Sequence, residues 1–157
     1  MKSILITAAV LFAAPALAQT AAPVRTQPMM ATAGQVSYVT HDKVEAALAH
    51  KTTPMLLTAD NLQLEGSFRN KAGDVEMHKK QDDVFYVTDG EATFMAGGKY
   101  DGGREVADGN MVGGTITGGT AYHLVKGDSI VIPAGVPHQF TEVPKTISYF
   151  VVKVDRK

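Results

Sequence analysis

Short apolar runs separated by turn-forming residues follow one another from residue 55 to the end of the chain. Val84 to Val87 is one such run, and glycine, asparagine, aspartate and proline punctuate the intervals between runs. Runs of this length, bounded by turn residues, are typical of β-strands. Asp89-Gly90 is a dipeptide preferred in two-residue hairpin turns, so we expect a hairpin there, with Glu91 to Ala96 as the returning strand. The pattern predicts an all-β domain of the sandwich or barrel type.

Two stretches depart from this pattern. The segment from His41 to His50 carries apolar residues at helical spacing, with Thr40 before it as a capping residue and Pro54 after it, so we expect one short helix. Residues 97–119 are rich in glycine pairs, which predicts a long loop or a loose hairpin between strands.

The first residues have the pattern of a targeting segment. Lys2 precedes an apolar run from Ile4 to Phe12, and Ala16-Leu17-Ala18 has the small-x-small pattern of a cleavage site, so residues 1–18 are predicted to be a signal peptide. The run is too short to cross a bilayer and nothing later supplies a membrane span. We expect export to the periplasm as a soluble protein, a retained N-terminal anchor being the alternative. Residues 19–34 are predicted to be a flexible leader and residues 35–157 a single domain.

Composition narrows the classes of function and site. The 157 residues include 15 lysines and arginines against 16 acidic residues, a net charge of −1, which argues against a nucleic-acid partner. The chain has no cysteine, so an exported form has no disulfide framework, and any metal site must use nitrogen and oxygen ligands.

A motif near the C-terminus ends in a histidine at a defined spacing from glycine and proline residues. Gly127, Pro133, Gly135 and His138 follow the spacing Gly-x5-Pro-x-Gly-x2-His. This spacing predicts a turn, a strand, a second turn and a histidine that opens the next strand. Such a histidine is a candidate metal ligand, and the alternative is a packed histidine in the core of a small all-β protein.

A second motif lies upstream and runs Glu-x-His-x4-Asp-x6-Gly from Glu76 to Gly90. Together the two resemble the paired motifs of the cupin superfamily, Gly-x5-His-x-His-x3,4-Glu-x6-Gly and Gly-x5-Pro-x-Gly-x2-His-x3-Asn. Counting back from Gly90 places Asp83 at the family's ligand glutamate and His78 at its second histidine. Glu76 replaces the first histidine, and Glu142 stands at the final asparagine.

The resemblance covers residues 56–154 and implies a double-stranded β-helix, a jelly-roll barrel, with the short helix on its N-terminal side. It also implies a metal site whose ligands are Glu76, His78, Asp83 and His138. Two imidazoles and two carboxylates suit a divalent transition metal, namely Mn(II), Fe(II), Ni(II) or Zn(II).

The carboxylates have alternative interpretations. Glu76 and Asp83 are also suited to be barrel-mouth carboxylates that pair with Arg69 or Lys79. Asp82 is a rival of Asp83, because it fits the shorter form of the motif spacing from the preceding histidine.

Function has to be argued from the site, because this fold supports many chemistries. The first hypothesis is a periplasmic metal-dependent enzyme that acts on a small oxygenated molecule by isomerase, lyase or oxygenase chemistry, with Glu76 or Glu142 as proton carrier. The alternative is a non-catalytic cupin that binds a sugar, an organic acid or a metal ion. A third role is structural, with strand edges pairing in a homodimer. His123 is expected to be an ordinary strand histidine. Four side chains are candidates for the apolar wall of a ligand cavity: Phe94, Met95, Phe140 and Tyr149.

Overall fold

The computed structural model describes residues 28–157; the predicted signal peptide, residues 1–18, and residues 19–27 of the predicted leader lie outside the described residues. Short strands dominate the described part. In chain order the elements are β1 (Met29–Met30), α1 (His41–Leu48), β2 (Met55–Thr58), β3 (Leu62–Arg69), β4 (Glu76–Met77), β5 (Gln81–Ala96), β6 (Lys99–Asp101), β7 (Arg104–Glu105), β8 (Met111–Val112), β9 (Thr115–Thr117), β10 (Thr120–Val125), β11 (Ser129–Ile132), β12 (His138–Glu142) and β13 (Ile147–Asp155). None of the helices among residues 28–157 has the length and apolar character needed to cross a membrane.

Two sheets share one long strand. One sheet has the order β1-β2-β3-β13-β5-β11, and the other has the order β7-β8-β4-β12-β5-β10. All pairs are antiparallel except β1 with β2, so β1 adds a strand within the stretch predicted to be a leader. This arrangement is the predicted double-stranded β-helix with one short helix, and the predicted fold class is confirmed.

Strand β5 passes from one sheet to the other, and the predicted hairpin at Asp89-Gly90 is therefore wrong. The strand runs unbroken through Gly90, and its two halves pair with different partners instead of with each other. Gly90 has φ +78°, and a Cβ there would overlap the carbonyl oxygen of Thr146. The glycine therefore serves a bend between sheets, where β13 approaches too closely for any side chain.

An aromatic cluster fills the space between the two sheets. Phe85 and Tyr149 come from one sheet, whereas Phe94 and Phe140 come from the other, and all four are buried. Neighbouring rings have centroids 4.9 to 6.0 Å apart, the range in which aromatic pairs attract beyond their buried area. This core fixes the strands that carry the candidate site.

The glycine-rich stretch is built into the barrel. Strands β6 and β9 pair with each other in a small separate sheet, as expected for a hairpin, and β8 pairs with β4, placing Val112 opposite Glu76. The side chain of Asn110 accepts a hydrogen bond from the backbone amide of Lys79. This stretch therefore holds the short segment that carries Glu76 and His78.

Candidate metal and ligand site

A cavity of about 440 Å³ lies between the sheets, a size that suits a small molecule. Its polar lining comes from several elements, because inward-facing positions alternate along β3, β5, β12 and β13. The ionisable or hydrogen-bonding side chains around it include Glu65, Arg69, Glu76, His78, Asp83, His138, Tyr149 and Lys153. Of the predicted wall residues, Phe94, Phe140 and Tyr149 line this cavity.

Three of the predicted ligands meet at one point. Glu76, His78 and His138 each offer a ligand atom, and these atoms lie within 4.8 Å of one another. The pairing of β12 with β4 places His138 directly opposite Glu76. His78 follows two residues after Glu76, so both side chains turn to the same side of the chain.

His138 has a defined tautomer. Its Nδ1 lies 3.0 Å from the carbonyl oxygen of Val136, and since a carbonyl only accepts, Nδ1 carries the hydrogen. The Nε2 atom then has a lone pair, and it is buried without a hydrogen-bond partner among the described residues. Burial lowers the pKa of His138, so the ring is neutral near pH 7. A neutral imidazole whose other nitrogen donates to a backbone carbonyl is the usual state of a metal-ligating histidine.

His78 lies beside that ring, with centroids 5.5 Å apart. Its Nε2 is 3.1 Å from the Nζ of Lys153, 3.3 Å from Oδ2 of Asp83 and 3.7 Å from Oε2 of Glu76. Its Nδ1 is buried without a partner among residues 28–157. His78 therefore stands at the junction between the three-residue cluster and a neighbouring ion pair.

That ion pair joins Asp83 to Lys153, which stand opposite each other in the pairing of β5 with β13. The Lys153 ammonium lies 3.2 and 3.3 Å from the two carboxylate oxygens of Asp83, whose side chain is only 1 % exposed. Burial would raise the pKa of Asp83, but the close contact with His78 and the charge of Lys153 outweigh it, and the pKa is lowered. Asp83 lies 3.3 Å from Nε2 of His78 and 3.8 Å from Nε2 of His138, but it is not one of the three residues whose ligand atoms all lie within 4.8 Å of one another. Its carboxylate is instead paired with Lys153.

Arg69 lies on the other side of Glu76. Its Nε donates a 3.0 Å hydrogen bond to the hydroxyl of Tyr149, and the guanidinium lies over the ring of Phe140, 5.1 Å from the centroid. Its Nη2 is 3.4 Å from Oε1 of Glu76. The alternative in which Arg69 pairs with Glu76 at the barrel mouth is therefore realised, although this contact is long.

Glu65 is a further cavity residue, on the same face of β3 as Arg69. Burial raises the pKa of its carboxyl, only partly opposed by Lys153. A carboxyl that holds a proton to higher pH than usual is suited to donate or accept one during a reaction.

Several predicted residues lie elsewhere. Glu142, the second predicted proton carrier, is exposed near a β-bulge of β12 and is not among the residues that line the cavity. Asp82, the rival of Asp83, accepts hydrogen bonds from the amide of Ala134 and from Arg156, so it secures a turn. His123 is 61 % exposed and pairs with Glu91.

Glu65 and Lys153 are cavity residues that carry no motif in the sequence. Both occupy inward positions of strands whose other inward residues are Arg69 and Tyr149, so period-two alternation was a usable signal. Only the pairing of β3 with β13 brings the two residues to one cavity, whereas a lone charged residue near the chain end is usually solvated.

The family models that were compared do not match this sequence, and neither do the curated proteins. Among solved structures, a Bacillus halodurans protein aligns at 16 % identity over 80 % of this chain and 86 % of its own, with a TM-score of 0.54. A Klebsiella pneumoniae protein with a double-stranded β-helix domain aligns at 16 % identity over 64 % of this chain and 73 % of its own, TM-score 0.46. The DMSP lyase DddQ of Ruegeria pomeroyi aligns at 16 % identity over 62 % of this chain, TM-score 0.44, and this chain spans 40 % of that lyase. At these identities the likeness concerns the fold.

Proposed function

We propose that this chain, which has the double-stranded β-helix fold of the cupin superfamily, is a divalent-metal-dependent enzyme that acts on a small oxygenated molecule. The observation that carries the proposal is the buried Nε2 of His138, a lone pair without a partner among residues 28–157, in a cluster with Glu76 and His78. A buried polar atom without a partner costs stability unless a ligand satisfies it.

The donor set fits a divalent transition metal. Glu76, His78 and His138 supply one carboxylate and two imidazoles, a combination that Mn(II), Fe(II), Ni(II) and Zn(II) all accept. Such an ion, when bound, polarises a carbonyl or carboxylate oxygen of a small molecule. Asp83 is a fourth candidate ligand, in competition with its ion pair to Lys153.

The residues of the chain supply the rest of the chemistry. The backbone carbonyl of Val136 holds the ring of His138 in its tautomer. The apolar wall of Phe85, Phe94 and Phe140 excludes water from one side of the cavity. Glu65 is the proton carrier that the cavity favours, since burial raises the pKa of its carboxyl and Glu142 is exposed outside the cavity.

A second candidate function rests on Lys153. Its ammonium already contacts His78 Nε2 and both oxygens of Asp83, so the carboxylate beside the cluster is charge-compensated without a metal ion. A non-catalytic cupin that binds a small organic acid needs only this cavity and its cations.

Metal analysis by mass spectrometry tests the first candidate. The tag-free protein and the variants His138→Ala, Glu76→Gln and His123→Ala would be loaded with each metal, desalted and measured, with circular dichroism as the folding check. We expect about one equivalent in the wild type and in His123→Ala, whose histidine is exposed, and loss of metal in the other two. Absence of metal from the wild type after reconstitution would overturn the metal-dependent enzyme and favour the binder.

Turnover is tested with a panel of small hydroxy and keto acids on the metal-loaded protein. We expect Glu65→Gln to lower the rate constant with little change in metal content, because the amide cannot carry a proton. Unchanged turnover in this variant would contradict the role of Glu65.

Export and assembly are proposals from the sequence. We propose that residues 1–18 direct the chain to the periplasm and that edge strands pair in a homodimer. Cell fractionation with N-terminal sequencing tests the first, and light scattering during size-exclusion chromatography tests the second.

A further inference from the structure

We infer that the ligand of the cavity carries a carboxylate group and that Arg69 and Tyr149 bind it. The inference deepens the proposed function and rests on it in one respect, namely that the cavity takes a small molecule. It does not require the metal, because the two side chains lie beside the cluster of Glu76, His78 and His138 and outside it.

Arg69 is held in place before any ligand arrives. Its Nε is bound by the Tyr149 hydroxyl at 3.0 Å and its plane lies over Phe140. Tyr149 is itself only 4 % exposed and is fixed in the aromatic core. A guanidinium ordered in this way loses little conformational freedom when it binds an anion.

Nη1 of Arg69 and the hydroxyl of Tyr149 have hydrogen-bond donors without an acceptor among residues 28–157. Among residues 28–157 no group accepts from Nη1 of Arg69, and Nη2 has only the 3.4 Å contact with Glu76. The Tyr149 hydroxyl accepts from Arg69 but donates to no group in the described part of the chain. Guanidinium N–H groups without an acceptor, beside a hydroxyl whose O–H is also unused, match a carboxylate, which accepts hydrogen bonds through two oxygens.

The carboxyl groups around the cavity limit the charge of an anion that binds Arg69. Lys153 is neutralised by Asp83, while the long contact between Arg69 and Glu76 leaves the guanidinium only partly compensated. The carboxyl groups of Glu65, Asp74 and Glu76 also line the cavity, and Asp74 acts on the charge of Arg69, so a doubly charged phosphate would meet more repulsion than a singly charged carboxylate. The chemistry of the site therefore favours a monoanionic carboxylate.

Gly73 makes room for the guanidinium. A Cβ at residue 73 would overlap Nη1 of Arg69, and the backbone carbonyl of Gly73 is held by Gln139 at 2.8 Å. Because that backbone is fixed, the end of the arginine side chain has to move in Gly73→Ala. This substitution displaces the charge without removing it.

The test measures binding of propionate and of propionamide by NMR titration, using protein treated with chelator and protein loaded with zinc. We expect propionate to bind the metal-free wild type and propionamide to bind at least tenfold more weakly. Arg69→Met and Gly73→Ala should weaken propionate binding by about tenfold or more, since the hydrogen bonds from a charged donor are lost. Tyr149→Phe removes a neutral donor and should weaken binding by a smaller factor. Lys126→Met, which removes a cation that is 72 % exposed and does not line the cavity, is the control for net charge and should leave the affinity unchanged.

Equal affinity of wild type and Arg69→Met for propionate, equal affinity for the acid and the amide, or tighter binding of inorganic phosphate than of propionate would each overturn the inference. Tyr149→Phe conserves shape, so it tests the site even where Arg69→Met is unstable. Metal content separates this result from the proposed enzyme: a wild type that binds propionate through Arg69 but retains no metal supports the inference and overturns the enzyme. A wild type that retains metal, but whose affinity for propionate is the same as that of Arg69→Met, supports the enzyme and overturns the inference.

Discussion

Replacing Gly90 by alanine tests why β5 can cross between the sheets. Gly90 and Gly97 both have φ +78°, so alanine at either position pays the same backbone cost of about 1–2 kcal/mol. The surroundings differ, because a Cβ at Gly97 meets no atom of residues 28–157 within 4 Å, whereas one at Gly90 overlaps the carbonyl oxygen of Thr146 and lies 3.0 Å from Cα of Ile147. Gly97→Ala is therefore a matched control for backbone strain.

The additional cost at Gly90 can be worked from its contacts. Moving the Thr146 carbonyl weakens the hydrogen bond that it accepts from the amide of Glu91 at 3.2 Å, worth about 1 kcal/mol. It also shifts Ile147, which is fully buried, and imperfect packing there costs about 1 kcal/mol more. We expect Gly90→Ala to lower the free energy of unfolding by about 3–4 kcal/mol in total, against about 1–2 kcal/mol for Gly97→Ala.

Urea unfolding of both variants, followed by circular dichroism, measures this difference. The comparison holds if the m-value is unchanged, since only the midpoint then reports stability. Equal destabilisation of the two variants would refute the argument that the approach of β13, rather than the backbone angle alone, requires glycine at residue 90.

Three further predictions concern the charged side chains of the cavity. Lys153→Met leaves the buried carboxylate of Asp83 without its cation, so we expect the free energy of unfolding of the metal-free protein to fall by about 3 kcal/mol. Zinc affinity should rise, because the competing ammonium is gone. Chemical unfolding with and without zinc measures both effects, and equal zinc affinity in variant and wild type would contradict the competition. The pKa of Asp83 is lowered in the folded state, so its contribution to stability is present above its unfolded pKa and is lost as pH falls through its folded pKa. In urea unfolding measured from about pH 7 downward, Asp83→Asn should therefore weaken the loss of stability at acid pH. An unchanged slope of stability against pH would count against a lowered pKa of Asp83. The pKa of Glu65 is raised by burial, so the folded state loses stability as pH rises through that raised pKa. Glu65→Gln should be more stable than the wild type at pH 8 and similar to it at acid pH. A less stable variant at pH 8 would show that the ionised carboxylate has favourable partners in the cavity.

The outline of the fold follows from local chemistry in the sequence. Apolar runs of strand length, turn residues between them and one helical spacing near residue 41 predicted an all-β chain with a short helix, and α1 and the barrel strands are where these signals lie. The hairpin at Asp89-Gly90 failed for a specific reason. The same glycine that suits a two-residue turn also suits a bend under close contact, and only the position of Thr146 distinguishes the two.

The candidate site shows the same difference between what local sequence predicts and what the tertiary structure decides. The resemblance of the two motifs to the cupin pattern predicted that Glu76, His78 and His138 would lie together, and the pairing of β4 with β12 places Glu76 opposite His138. Spacing carries no information about residues far along the chain, so the ion pair of Asp83 with Lys153, the buried position of Glu65 and the exposure of Glu142 were decided by strand register in the tertiary structure. Register depends on cross-strand packing between segments as distant as Asp83 and Lys153, and a one-residue shift would exchange inward and outward faces. The sequence determined which ligand types are present, and the resemblance of its motifs predicted four candidate ligands. The assembled barrel decided which three of them lie closest together and which charges share the cavity with them.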